Sequence, residues 1–492
     1  MNAFSFTHNQ FKYQFYTYIK QLHRTRIYFS QFIFFVRLYF SVMAATTNNE
    51  AKVSIKVIVD KVNKRVVYAE ADYTFVDILF SFMTLPLGTI VRLLGKLDDK
   101  KFEAMGSLNN LYQSLKDFPE CYLSSEECKS MLLNPRSLLY EECRKLKVKI
   151  DDTEPVKYFR CASCFKYSQV YSTCNKAKCR ICNKLMDQEF STSNYNDCFG
   201  GAVFVSDIVT FIVTEDLCVM PYSSANSIRL LTKVGITNTS SLEDIKLDMD
   251  CKQMLYFLEM SLSLDSPLTY LVFNRTGSIW KMDVPCQGST LDQTNSLKKE
   301  ESSSSKIFLE VSLQRSTGKL LFAEAKNDFV EFVFGFLSIP LGTVIGELSS
   351  GASSFRCMDN IFKSISNMSV GSCLKSQYLK DLLLTPHTGL LHSSKYQLFS
   401  LKCTPSCRAL NDPRIDEKFL KQSGMFIVTD DLIISPSSSF STMNTLNNLK
   451  VPFNDVEKFE ISIGFKEGLS MFKASSRCSS TLTDSLHHLL KK

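Results

Sequence analysis

The sequence predicts an α+β protein built from two tandem homologous repeats, the first with a zinc-ribbon-like insert. Three observations lead there. Residues 53–94 and 307–348 align without a gap at an offset of 254, with 13 identities in 42 positions. Strand-like and helix-like stretches do not alternate regularly in either copy, which favours α+β over a doubly wound sheet. Only the first copy holds two Cys-x-x-Cys pairs, Cys161/Cys164 and Cys179/Cys182, fourteen residues apart.

The correspondence between copies extends well beyond the aligned block. Leu111 and Ser114 match Ile361 and Ser364, and MLLNP (131–135) matches LLLTP (382–386). FIVTEDL (211–217) matches FIVTDDL (426–432), and a proline follows each, Pro221 and Pro436. The predicted layout is therefore an N-terminal extension (1–42), repeat 1 (50–285) with the cysteine-rich insert 156–186, a linker (286–305) and repeat 2 (306–492). The linker is polar, with the run QTNSLKKEESSSS, and reads as flexible chain.

Within each copy the elements follow in order. Val53–Val59 and Val66–Ala71 are rich in β-formers and flank a turn-like stretch, Asp60 to Lys64, which predicts a hairpin. In copy two the turn falls at Thr317-Gly318. Asp72 or Thr74 can cap a helix running through Met83, and Asp328 is the matching candidate. That helix is apolar on most sides, from Phe75 to Leu85 and again from Phe329 to Ile339, so it is buried or meets a partner. Pro86 and Pro340 break it and suit the first turn of a second helix. Helices are expected at 103–117 and 124–133, and a strand at Val203–Val213. A short strand and helices follow near 227–234, 244–249 and 251–263.

The insert carries the most specific chemistry. Four thiolates as C-x2-C, fourteen residues, C-x2-C suit a tetrahedral Zn²⁺, because each turn presents two sulfurs to one ion. Asn183, after Cys182, tolerates the positive φ a knuckle requires, whereas Phe165, after Cys164, does not fit well. Cys174 is spare and can replace one ligand or stay a free thiol. Two competing readings are a pair of coincidental turns and a redox dithiol. Four cysteine ligands leave no open position for water, so the zinc is expected to be structural. Copy two keeps only Cys403 and Cys407, so no zinc is expected there.

The insert is also basic. Lys157, Arg160, Lys166, Lys176, Lys178, Arg180 and Lys184 occur with no acid from Val156 to Met186, and Tyr158, Phe159, Phe165, Tyr167 and Tyr171 are interleaved. That pattern can hold single-stranded nucleic acid through phosphate contact and stacking, with Lys157, Arg160, Lys166, Lys178 and Arg180 as contacts. The duller reading is a small module whose aromatics pack on it and whose lysines are solvated.

Composition bounds the rest. The chain has 492 residues, 45% hydrophobic and 22% charged, like ordinary globular proteins. Five of the seven net positive charges fall in residues 1–42, so no global attraction to nucleic acid or anionic membrane is indicated. That extension has fourteen Phe and Tyr, no acid, and an apolar run broken by Gln31 and Arg37. It reads as a targeting segment or anchor, or as an upstream start with Met43 the working initiator. The 17 scattered cysteines fit reduced thiols in a cytoplasmic or nuclear protein. None of the six histidines lies between residues 44 and 300, and no GxGxxG or GxxxxGK[ST] occurs. Carboxylates recur as Glu70/Glu324, Asp77/Glu331 and Asp216/Asp431, read as a strand-facing Glu, a helix-surface acid and a turn cap.

The hairpin, AEA, the Phe-Val-Asp helix, LPLGT and FIVTEDL resemble a plant family known only as domain of unknown function 674, over essentially all of 50–492. The insert is similar to the family's first-copy pattern, and copy two departs from it by deletion. The resemblance implies this architecture and a plant source, and it supplies no functional residues. The expected function is a non-enzymatic interaction module with a protein partner. A nucleic-acid-binding module is the alternative, with no membrane role unless residues 1–42 form an anchor.

Overall fold

Alternation of apolar and polar residues makes the strands. In β1 (Val53–Asp60) Val53, Ile55, Val57 and Val59 are buried while Lys56 is exposed. It forms an antiparallel hairpin with β2 (Arg65–Ala71), Val57 opposite Ala69. Asp60 accepts hydrogen bonds from the Val62 and Asn63 amides, and Lys64 closes the turn at φ 50°. The computed structural model describes residues 51–97, 104–137, 139–155, 157–166, 170–190, 201–273, 306–348, 355–386, 418–421 and 424–490. The predicted extension 1–42, the linker 286–305 and the Cys403/Cys407 pair lie outside these residues.

After the hairpin come α1 (Tyr73–Ser81), α2 (Leu87–Leu94), α3 (Leu108–Asp117), α4 (Glu126–Leu133) and the short α5 (Tyr140–Cys143). The insert strands β3 (Tyr158–Arg160) and β4 (Gln188–Phe190) follow. Then come β5 (Phe211–Thr214), β6 (Val219–Pro221), α6 (Ser224–Lys233), β7 (Leu242–Met249), α7 (Cys251–Ser263) and α8 (Pro267–Phe273). The first large sheet has the order β6-β5-β2-β1-β7, with all four neighbouring pairs antiparallel.

The second half runs β8 (Ile307–Gln314), β9 (Leu320–Lys326), α9 (Asn327–Gly335), α10 (Leu341–Leu348), α11 (Arg356–Asn367) and α12 (Gln377–Leu384). It continues with β10 (Met425–Thr429), β11 (Ile434–Pro436), α13 (Ser439–Asn448), β12 (Val456–Ile463), α14 (Phe465–Ser475) and α15 (Thr481–Leu490). Its sheet order is β11-β10-β9-β8-β12, with Val311 opposite Ala323. Gly318 takes the hairpin turn at φ 68°, where a side chain would be strained. The chain is thus mixed helix and sheet, in keeping with the α+β expectation.

The apolar helices are internal. Phe75, Val76, Ile78, Leu79 and Phe80 are fully buried, as are Phe329, Val330 and Val333. They are core rather than a free surface, because the two halves interlock around them. The LPLGT stretch and its counterpart meet in an antiparallel bridge, Pro86 against Pro340. There Leu87 N–H donates to the Ile339 carbonyl (3.0 Å) and Leu341 N–H to the Leu85 carbonyl (2.9 Å). Each half also sends a helix onto the other's sheet. Ile434 N–H donates to Ser114 Oγ of α3 (3.0 Å), and Val219 N–H donates to Ser364 Oγ of α11 (2.9 Å). Asn110 donates to the Asp431 carbonyl and Asn360 to that of Asp216. Phe118, just past α3, packs its ring on Phe334 and Phe426 at 5.4 and 5.3 Å.

Thr89 and Thr343, next in the same motif, donate to the carbonyls of Pro135 (2.7 Å) and Pro386 (2.8 Å). Thr343→Val keeps the shape and strands a buried carbonyl, so it is expected to cost about 1–2 kcal/mol. The denaturant midpoint measures this, and an unshifted midpoint would show that the bond contributes nothing.

Three expectations need correction. The strand expected at Val203–Val213 is only Phe211–Thr214, because the amides of 203–205 are taken by the Asp77 carboxylate. Asp77 and Glu331 are consequently buried and not on a helix surface. Asp72 caps α1 through the Thr74 and Phe75 amides, but Asp328 lies inside the first turn of α9, whose cap position is Lys326.

Candidate metal centre

The insert folds back on itself because β3 pairs with β4, Tyr158 opposite Phe190, bringing its two ends together. Two tight turns then aim four sulfurs inward. In the first, the Cys161 carbonyl accepts from the Cys164 (3.3 Å) and Phe165 (3.0 Å) amides. In the second, the Cys179 carbonyl accepts from Asn183 N–H (2.8 Å), and Asn183 sits at φ 58° as its side chain allows. Phe165 is not among the positive-φ residues, so the first turn closes without that geometry. The second turn is the apex of a small hairpin, in which Cys179 N–H donates to Lys184 and Met186 N–H to Ala177.

The ligand atoms of Cys161, Cys164, Cys179 and Cys182 all lie within 4.8 Å of one another, and the Cys161 and Cys182 sulfurs are 3.4 Å apart. A tetrahedral ion with metal–sulfur bonds of about 2.3 Å needs sulfurs about 3.8 Å apart, so the quartet is of the right size. Cys161 and Cys179 are buried with Phe159 and Met186, and Cys164, Val170 and Cys182 pack against them. Without a cation the thiols crowd each other. The hydrogen bond with Cys182, then burial and the neighbouring Cys179 and Cys161 thiols, push Cys164 up to about 12. A divalent cation reverses that balance, since coordination deprotonates a thiol outright. Soft thiolates of this kind select zinc or another thiophilic ion over magnesium or calcium.

Cys174 is not one of the four. Its amide donates to Ser172 Oγ (3.1 Å) and its sulfur accepts from Lys176 N–H (3.4 Å). The basic residues are partly engaged. Lys157 pairs with Glu189 at 3.8 Å and Lys176 with Glu127 of α4 at 2.8 Å. The Arg160 guanidinium lies 4.3 Å from the Phe165 ring centroid. Tyr158, Tyr171 and Phe190 pack on each other, with centroids 5.6–6.4 Å apart. Lys166, Lys178 and Arg180 are exposed.

Residues 49–466 match the family described as "Protein of unknown function (DUF674)". The chain belongs to this family. No curated protein and no solved structure matches it. No helix among the described residues of this DUF674 protein is long and apolar enough to cross a membrane. The family description names neither reaction nor ligand, so the function is read from the site itself.

Proposed function

We propose that this DUF674 protein is a non-enzymatic interaction protein, two homologous repeats locked together, with a structural zinc in the first. The quartet of sulfurs is the observation that carries the reading. Four protein thiolates complete a tetrahedral shell, which makes the ion a fold-stabilising one. The insert is small and has little core of its own, so the metal supplies what packing cannot.

The repeat reading draws on the matching strand orders and on a charge exchange between the sheets. In the first, Lys56 of β1 faces Asp244 of β7 at 3.8 Å. In the second, Glu310 of β8 faces Lys458 of β12 at 3.1 Å. The pair is reversed and the attraction is kept, as expected of copies that diverged on one scaffold. The recurring carboxylates each have a structural partner: Glu70 beside Lys56, Asp77 on three amides, and Asp216 accepting from the Thr214 hydroxyl. These roles account for their recurrence without chemistry. Protein is favoured over nucleic acid as partner because Tyr158 and Tyr171 pack edge to face on each other and two of the insert's lysines are already ion-paired.

The test is metal content per chain by elemental analysis. One zinc per chain is expected for the wild type and for Cys174→Ser, and little for Cys179→Ser or Cys182→Ser. Unchanged zinc in the last two variants would refute the ligand assignment.

A further inference from the structure

The second cysteine hairpin has two unlike faces. Ala177, Cys179 and Met186 are buried toward the sulfur cluster. The opposite side carries Lys178 and Leu185 directly across the bridge from one another, and Arg180 and Ile181 at the apex. Ile181 is 63% and Leu185 51% exposed. Single exposed aliphatics are ordinary. Here two of them share one small hairpin whose backbone is fixed by the Cys179, Asn183 and Met186 amide bonds. They are framed mainly by cations, Lys178, Arg180 and Lys184, with Asp187 the nearest acid along the chain. Arg180 makes no ion pair among the described residues, and Lys184 reaches only the Ser163 hydroxyl, at 3.3 Å.

We propose that this outer face docks an acidic peptide segment carrying one or two aliphatic side chains, contributed by a partner protein. Charge complementarity chooses the occupant. A carboxylate-rich segment meets the cationic frame, and its aliphatic side chains cover Ile181 and Leu185. Nucleic acid is the poorer fit, because the two exposed apolar side chains are aliphatic and offer no ring on which a base can stack. The inference rests on the metal reading, since the ion is what holds the hairpin rigid enough for an exposed isoleucine to act as an anchor.

The experiment uses the full chain prepared in the presence of zinc and fluorescence anisotropy with a synthetic dodecapeptide panel. Its members are acidic with aliphatics, acidic without aliphatics, and basic with aliphatics. Oligouridylate and phosphatidylserine vesicles are run in parallel. Members of the first group are expected to bind, to weaken at raised salt, and to lose about tenfold in affinity in Ile181→Ser/Leu185→Ser and in Arg180→Glu/Lys184→Glu. Equal affinity in the variants, or binding only to oligouridylate or vesicles, would overturn the proposal. Zinc is measured on every sample. Zinc present with peptides indifferent to the variants defeats the docking face alone. Variant-sensitive binding by a chain without zinc defeats the metal reading alone.

Discussion

Replacing Gly342 by alanine is expected to lower the stability of the interlocked unit by about 1–3 kcal/mol, as overpacking of a filled seam does. A Cβ at this position would lie 2.7 Å from the Leu383 carbonyl oxygen and 3.0 Å from that of Met83. Both are backbone atoms, so neither can swing aside as a flexible side chain would. One belongs to the glycine's own half and the other to the opposite half, so relief on one side tightens the other. Gly88, its counterpart, would bring a Cβ to 3.0 Å from the Leu337 carbonyl oxygen and 3.3 Å from the Pro135 ring. The Gly88→Ala cost is therefore expected to be the smaller of the two. Because both glycines flank the Pro86–Pro340 bridge, the double variant is not expected to be additive. Urea midpoints at unchanged slope measure all three. A Gly342→Ala protein as stable as wild type, or an inverted order between the two sites, would contradict this account of the motif.

The same seam marks where the sequence was legible and where it was not. Local signals were readable because they act within a few residues. The hairpin turns at Lys64 and Gly318, the Asp72 cap and the Asn183 turn each rest on one residue and the backbone beside it. The sulfur quartet was legible for a similar reason, since two short turns present paired thiols and only their meeting is non-local. What lay beyond local reading was the partner of the apolar helices. Their company comes from the other half, through contacts such as Phe118 with Phe426, and no periodicity encodes which surface satisfies an apolar stripe. The stretch 203–213 failed for a related reason. Its composition favours a strand, but Asp77, more than a hundred residues earlier, takes its amides, and Ser206 N–H donates to Cys373 of the second half. The missed signal was a lone acid in an otherwise apolar helix, which calls for buried donors.

Asp77 should accordingly be among the costliest polar side chains to change. Its Oδ1 accepts from the Phe204 (2.9 Å) and Val205 (3.0 Å) amides, and its Oδ2 accepts from Val203 N–H (2.5 Å). Lys375 of the second half donates to the Ala202 carbonyl next door, so the carboxylate anchors a segment that also joins the halves. Asp77→Ala leaves three buried amides without an acceptor and is expected to cost about 3–5 kcal/mol, the range for breaking a buried charged network. Asp77→Asn keeps the volume but turns a donor toward one of those amides, and about 1–3 kcal/mol is expected. Burial, the strongest influence, outweighs the amides and Lys375 and pushes the Asp77 carboxyl from 3.8 up to about 6. A raised value means that the folded chain holds the proton more tightly than the unfolded chain does. The stability this proton contributes is complete below the ordinary value of 3.8 and is lost as pH rises through about 6. A shift of roughly two units corresponds to about 3 kcal/mol. The stability difference between wild type and Asp77→Asn should change by about that much across this window, because asparagine cannot titrate. A difference that stays constant from below the window to neutral pH would mean that burial and the three amides offset each other, and one that grows with pH would mean that the amides win.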